Sequence, residues 1–165
     1  MRELHTSRPG AKPACRSGTS AVPARVEEAT AVSEELIAAM SRLSGELSAS
    51  ARAPTQDELQ AVVDSPATRL LVARNADDNI VGSLTLTLVR IPTGMRAELH
   101  DLEIDRAVSK QGVAEMLIME GLRLAHDAGV QTVDLTSWPG PEGTDDWYRR
   151  LGFKERIAVY RRELS

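Results

Sequence analysis

The period of the hydrophobic positions changes several times along this chain, and each change marks an element. Arg25-Val-Glu-Glu-Ala29 alternates as a short strand does. Thr30 is placed to cap a helix, and Val32, Leu36, Met40, Leu43 and Leu47 then recur at the spacing of one helical face. Pro54-Thr-Gln-Asp-Glu58 opens a second helix, in which Thr55 and Glu58 have the spacing of a capping box and Leu59, Val62 and Val63 share a side. Leu70-Leu-Val-Ala73 and Ile80 to Ile91 read as two strands, joined by the polar hairpin turn Asn75-Ala-Asp-Asp-Asn79. Pro92-Thr-Gly94 breaks the second of these before a charged strand begins at Arg96 and runs through Glu98-Leu-His-Asp-Leu-Glu-Ile-Asp105.

The period then lengthens. Ser109-Lys-Gln-Gly-Val-Ala114 reads as an exit turn and Val113 to Ala128 as an amphipathic helix closed by Gly129. Val133-Asp-Leu-Thr-Ser137 reads as the next strand and Ile157 to Tyr160 as the last. Three sequential strands with short turns make an antiparallel meander, while a helix between Ile104 and Val130 forces a crossover to a parallel neighbour. The predicted sheet is therefore mixed.

Composition bounds this picture. A chain of 165 residues, 42% of them hydrophobic, suffices for one domain with a real core, placed here over residues 25–165. Residues 1–24 are rich in Pro, Ser, Gly, Ala and Arg and read as a disordered basic tail; their prolines argue against the amphipathic helix of an organellar leader. Residues 1–25 carry a net charge of +4, leaving −8 for the rest of a chain whose total is −4. So acidic a domain is a poor nucleic-acid surface, and the tail has no aromatics to stack on bases. The single cysteine, Cys15, suits a reducing cytoplasm and excludes an intramolecular disulfide, and no run approaches the length of a membrane span.

Three short motifs then carry a resemblance. Ile104-Asp105 at a strand end, Gln111-Gly112-Val113-Ala114 at a helix start and Tyr148-Arg-Arg-Leu-Gly152-Phe153 closing a later helix follow in one order. In that order and spacing, from about Val26 to about Leu164, the chain resembles the GNAT superfamily of acyl-CoA-dependent N-acetyltransferases. The resemblance implies an α/β (α+β) fold: a mixed, mainly antiparallel twisted sheet of six to seven strands flanked by about four helices. It implies an enzyme moving an acetyl group from acetyl-CoA to a primary amine of a small molecule or peptide, with no metal. Family members often dimerise, and Ile157 to Tyr160 is a candidate edge for a homodimer.

The candidate residues follow from the chemistry. A strand feeding a helix through a glycine turn leaves backbone N–H groups free at the helix start, and these attract phosphate. On that ground Ser109, Lys110, Gln111, Gly112, Val113 and Ala114 are the expected pyrophosphate cradle, and the resemblance adds Leu102, Ile104 and Asp145 as cofactor-side positions. Ser109 and Lys110 stand where the family usually has Arg or Gln and Gly. His100-Asp101 stands where relatives carry Glu-Asp, and an imidazole can take a proton from an ammonium; a half-buried histidine hydrogen-bonded at a strand edge is the competing reading. Glu98, Asp101 and Glu103 can attract a cationic amine, or form a solvated face. Strict alternation puts His100, Leu102 and Ile104 on one face and Asp101, Glu103 and Asp105 on the other, with a bulge able to shift that parity. Tyr148 matches the tyrosine proposed in relatives to protonate the leaving thiolate; packing beside Trp147, Leu151 and Phe153 is its plainer role. A metal site at His100 is disfavoured because strand neighbours point oppositely and no second histidine is near.

A second functional class stays open. The departures at His100, Ser109, Lys110, Pro141, Gly143 and Asp145 also fit a GNAT-fold protein with a degenerate CoA site. Such a protein would act as a ligand- or partner-binding module, or catalyse a different reaction in a specialised pathway. Pro141 and Gly143 further predict that the last helix starts late or is loose.

Overall fold

The computed structural model describes residues 25–47, 52–108, 110–136, 143–155 and 162. Among them run β1 (Arg25–Glu28), α1 (Glu34–Leu47), α2 (Gln56–Val63), β2 (Thr68–Arg74), β3 (Ile80–Ile91), β4 (Gly94–Ile104), α3 (Lys110–Asp127), β5 (Val133–Leu135) and α4 (Thr144–Arg150). The strands form one sheet in the order β1-β2-β3-β4-β5, antiparallel except for the parallel pair β4–β5. Five strands are thus present among the described residues, against an expectation of six to seven. Ile157 to Tyr160, read as the last strand, lies outside the described residues, as does the tail of residues 1–24.

Local chemistry sets the helix ends. In α2 the Thr55 hydroxyl accepts from the Glu58 N–H while the Glu58 carboxylate accepts from the Thr55 N–H at 2.8 Å, the capping box its spacing predicts. In α1 the cap is Ser33 rather than Thr30: the Ser33 hydroxyl accepts from the Leu36 N–H at 3.1 Å. Ser33 directly precedes Glu34 and Glu35, whose charges suit a helix start, so Val32 falls before the helix. Helix α3 begins at Lys110, three residues earlier than Val113. Asp105 makes the turn instead, its carboxylate accepting from the Ala107 N–H at 2.9 Å and its carbonyl from the Val108 N–H at 3.2 Å. Gly129, in the left-handed region at φ 80°, ends α3 as expected.

Two apolar layers enclose the sheet. Leu71, Leu84, Leu86 and Leu99 pack under Val113, Leu117 and Ile118 of α3. On the opposite face Leu70, Val72 and Ile80 pack under Leu36, Met40 and Leu43 of α1 and Leu59 of α2. A Cβ on Gly121 would lie 2.9 Å from Leu99 Cδ2, so the glycine lets α3 lie close against the sheet.

Candidate active site

The second apolar layer covers β2 but gives way to polar residues over β3 and β4. The cause is a bulge. Thr85 pairs with His100 and Ser83 with Glu103, so Asp101 and Leu102 together oppose Leu84. Asp101 carries the strain of the extra residue at φ 49°, a left-handed conformation that is uncommon outside glycine. Before the bulge Ala97 and Leu99 face α3; after it Leu102 and Ile104 do. The parity expected from strict alternation is therefore corrected: His100 parts from Leu102 and Ile104 and shares the α1/α2 face with Glu98 and Glu103. Ser83, Thr85 and Thr87 of β3 project on that same face, because Gly82, Leu84 and Leu86 alternate onto the other.

The polar groups on this face differ sharply in their partners. The His100 Nε2 lies 3.3 Å from Glu98 Oε2 and 3.2 Å from Thr87 Oγ1. A carboxylate only accepts, so the tautomer that suits Glu98 carries its proton on Nε2 and leaves Nδ1 as an acceptor. Both contacts use one nitrogen, which is unlike a nucleophile–histidine–acid relay, where the ring bridges through both. Glu103, 6% exposed, and Ser83, 1% exposed, are buried opposite each other, and Glu103 Oε2 and Ser83 Oγ have no hydrogen-bond partner among the described residues. Burial, and secondarily the charge of Asp101, pushes the Glu103 carboxyl up to about 7. Sequence reasoning gave Glu103 only a place in an acidic run, because its depth depends on the bulge; its own signal was an acid two residues beyond a His-Asp pair.

The other half of the site is an open strand edge. β5 pairs with β4 only over Ala97–Leu99, so from His100 to Ile104 the outer edge of β4 has no strand partner among the described residues. Such an edge offers backbone N–H and C=O groups to an extended ligand. The start of α3 follows, where the first-turn N–H groups have no intrahelical acceptor and the dipole favours an anion. Val113 and Ala114 are buried there and present backbone only, whereas a Cβ on Gly112 would meet nothing within 4 Å. Lys110 and Gln111 fall in the first helical turn and Ser109 lies outside the described residues. Residues able to hold the phosphates and pantetheine of a CoA thioester are thus contiguous: the β4 edge, then the α3 start. Asp145 stands exposed in the first turn of α4, which starts late, at Thr144, behind Gly143 in the left-handed region at φ 89°.

The Tyr148-x-x-x-Gly152-Phe153 motif proves to be a helix stop. Gly152 adopts φ 91°, its N–H donates to the Arg149 carbonyl at 3.0 Å, and the Phe153 N–H donates to the Tyr148 carbonyl at 3.1 Å. The Phe153 ring meets Tyr148 edge-on at 6.2 Å, and Trp147 lies 4.9 Å from it. Tyr148 packs against the α3-side core, as its plainer reading expects, and among the described residues it makes no contact with His100 across β4. A shallow depression beside β1 and α1 is lined by Glu27, Glu28 and Arg74, but Arg74 already pairs with Glu27 at 2.6 Å. Among the described residues no group of three or more His, Cys, Asp or Glu is placed to hold a metal ion, and no helix is long and apolar enough to cross a membrane.

The family model for the acetyltransferase (GNAT) family matches residues 34–153, and the chain belongs to that family. No curated protein matches the sequence. A Trypanosoma brucei acetyltransferase structure is 21% identical with a TM-score of 0.70, covering 86% of this chain and 100% of that one. An aminoglycoside acetyltransferase, meta-AAC0020, from an uncultured soil metagenomic sample is 19% identical with a TM-score of 0.71, over 86% of this chain and 97% of that one. Glucosamine-6-phosphate N-acetyltransferase from Arabidopsis thaliana is 11% identical with a TM-score of 0.69, over 87% and 99%. At these identities the likeness is one of fold.

Proposed function

We propose that the protein is an acyl-CoA-dependent N-acetyltransferase that moves an acetyl group onto a primary amine of a small molecule or peptide by direct attack. The observation that carries this reading is the His100–Ile104 edge of β4, which has no strand partner among the described residues, continued by the start of α3 with its first-turn N–H groups. Acetyl-CoA would supply the activated thioester carbonyl. Backbone groups along Leu102–Ile104 and the N–H groups of Gln111–Ala114 would hold it, with open space at Gly112 for the pyrophosphate.

The chain's own groups then account for the protons. Glu98 and Asp101 attract the incoming ammonium, and the free Nδ1 of His100 takes one proton so that the nitrogen lone pair can attack. A C–N bond forms, the C–S bond breaks, the Tyr148 hydroxyl gives its proton to the departing thiolate, and the proton shed by the new amide nitrogen passes through solvent to restore the tyrosine. Base and acid approach from opposite faces of β4, the arrangement a thioester lying along its edge requires. A cytoplasmic setting belongs to the same reading.

The second reading, a fold retained without CoA chemistry, draws on Asp145 and Asp146, two acids in the first turn of α4 beside a polyanionic cofactor. Calorimetric titration of acetyl-CoA into the full chain and into a Gly112→Val variant separates the two. Micromolar binding that the variant loses while keeping its melting temperature supports the cradle. No binding at millimolar acetyl-CoA refutes the transferase and leaves the binding module.

A further inference from the structure

The α1/α2 face of β3 and β4 is built in rungs. Ser83 opposes Glu103, Thr85 opposes His100 and Thr87 opposes Glu98, so each rung sets one hydroxyl against one ionisable group. The rungs run from a closed end, where Ser83 and Glu103 are buried, to an exposed end at Glu98. Beyond Glu98 the same face continues into Arg96 opposite Val89, where the acidic run stops.

Every group in these three rungs can accept a hydrogen bond. The carboxylates accept when ionised, the hydroxyls can accept, and a neutral His100 ring keeps one acceptor nitrogen. A row of acceptors with two acids suits a ligand rich in N–H donors and positive charge. The closed end gives the independent sign of a ligand: Glu103 Oε2 and Ser83 Oγ are buried, face one another across the strands and lack partners. Leaving such groups unpaired is unfavourable, and no cation among the described residues answers them. Arg42, the basic residue of α1 nearest this strand end, is held by the Asp105 carboxylate and by the Ile80 carbonyl at 2.7 Å. Successive positions on one face of a strand lie roughly 7 Å apart, so Glu103 and Glu98 are separated by roughly 13 Å. That suits two charged nitrogens of one extended molecule and exceeds the reach of a single ammonium.

We infer that these rungs form a trough for an oligocationic amine, in which Glu103 and Ser83 seat the inner ammonium and Glu98 a second one. The inference rests on the transferase reading for its setting, but it concerns binding and can be tested without turnover. An acceptor with one charge would engage the inner end alone.

The full-length protein is titrated calorimetrically, without acyl-CoA, with spermidine as a linear oligoamine, kanamycin as a ring-borne one, and n-butylamine as the single-charge control. Spermidine or kanamycin should bind at least tenfold more tightly than butylamine, and whichever is tighter assigns the linear or the sugar source. Glu98→Gln, at an exposed position, should abolish that advantage by weakening spermidine or kanamycin far more than butylamine. Glu103→Gln should weaken all amines, and Glu103→Asp should restore part of the loss. Equal affinity for the three amines, no binding of any, or an advantage that survives Glu98→Gln overturns the trough. Failure of acetyl transfer with tight spermidine binding intact would sink the transferase reading alone. Transfer to butylamine and spermidine with equal kcat/KM would keep that reading and overturn the trough.

Discussion

Glu103→Gln should stabilise the protein in alkaline solution and do almost nothing in acid. The folded carboxyl titrates at about 7 against an ordinary 4.5, raised by burial first and Asp101 second. Because the folded pKa lies above the unfolded one, the native state holds more protons between these values, and stability falls as pH rises through that window. A difference of about 2.5 units corresponds to about 3 kcal/mol, fully lost above about pH 8. Glu103 is 6% exposed, so solvent does little to screen this penalty. The acids held down by arginine, Glu27 through Arg74 and Glu120 through Arg123, titrate below the window and do not blur it. Glutamine cannot ionise, so the variant should be more stable than the parent by about 3 kcal/mol at pH 8.5. For a domain of this size that is a rise in melting temperature of about 6–12 °C, whereas the two proteins should coincide at about pH 3.5, below the unfolded value. Urea unfolding followed by circular dichroism at both pH values measures the difference directly. Parallel stability curves would show that Glu103 is solvated or paired in solution and would refute the reasoning. Asp101→Asn should recover a smaller share, since its charge is the lesser cause. A gain in stability joined to a loss of amine binding would mark Glu103 as a residue kept for function.

Other positions carry separate expectations. Tyr148→Phe should lower kcat about a hundredfold with acetyl-CoA affinity unchanged; steady-state kinetics with an unchanged kcat would remove the hydroxyl from the mechanism. Gly152→Ala should cost about 1–2 kcal/mol by forcing a side chain into the left-handed region at φ 91°, read as a lower urea midpoint. Thr55→Ala should cost about 1 kcal/mol by opening the capping box of α2; an unchanged midpoint would show that the box contributes nothing there.

Most elements were legible because their signals are local. The Thr55–Glu58 box, Gly129, the Asn75–Asn79 turn and the two long strands each act within a few residues, and the structure keeps all of them. The shifts came where two local signals competed. Ser33 displaced Thr30 as the cap of α1, and Asp105 closed the turn before Ser109, so α3 starts three residues early. The meaning of Tyr148 was half legible: its motif predicts the Gly152 helix stop, but only packing shows its ring among Trp147 and Phe153.

By itself the sequence determined the order of strands and helices, the mixed sheet, the glycine at the start of α3 and the set of acids around His100. Periodicity and turn chemistry act over one or two turns of chain, and a reader needs nothing more to find them. Only the tertiary structure decided which of those acids matter. The bulge at Asp101 reverses the parity of β4, and Ser83 of β3, far off in sequence, faces Glu103. A carboxyl's environment is made by the layers packed over it and the strand beside it, so its burial, its missing partner and its raised pKa are properties of the assembled sheet.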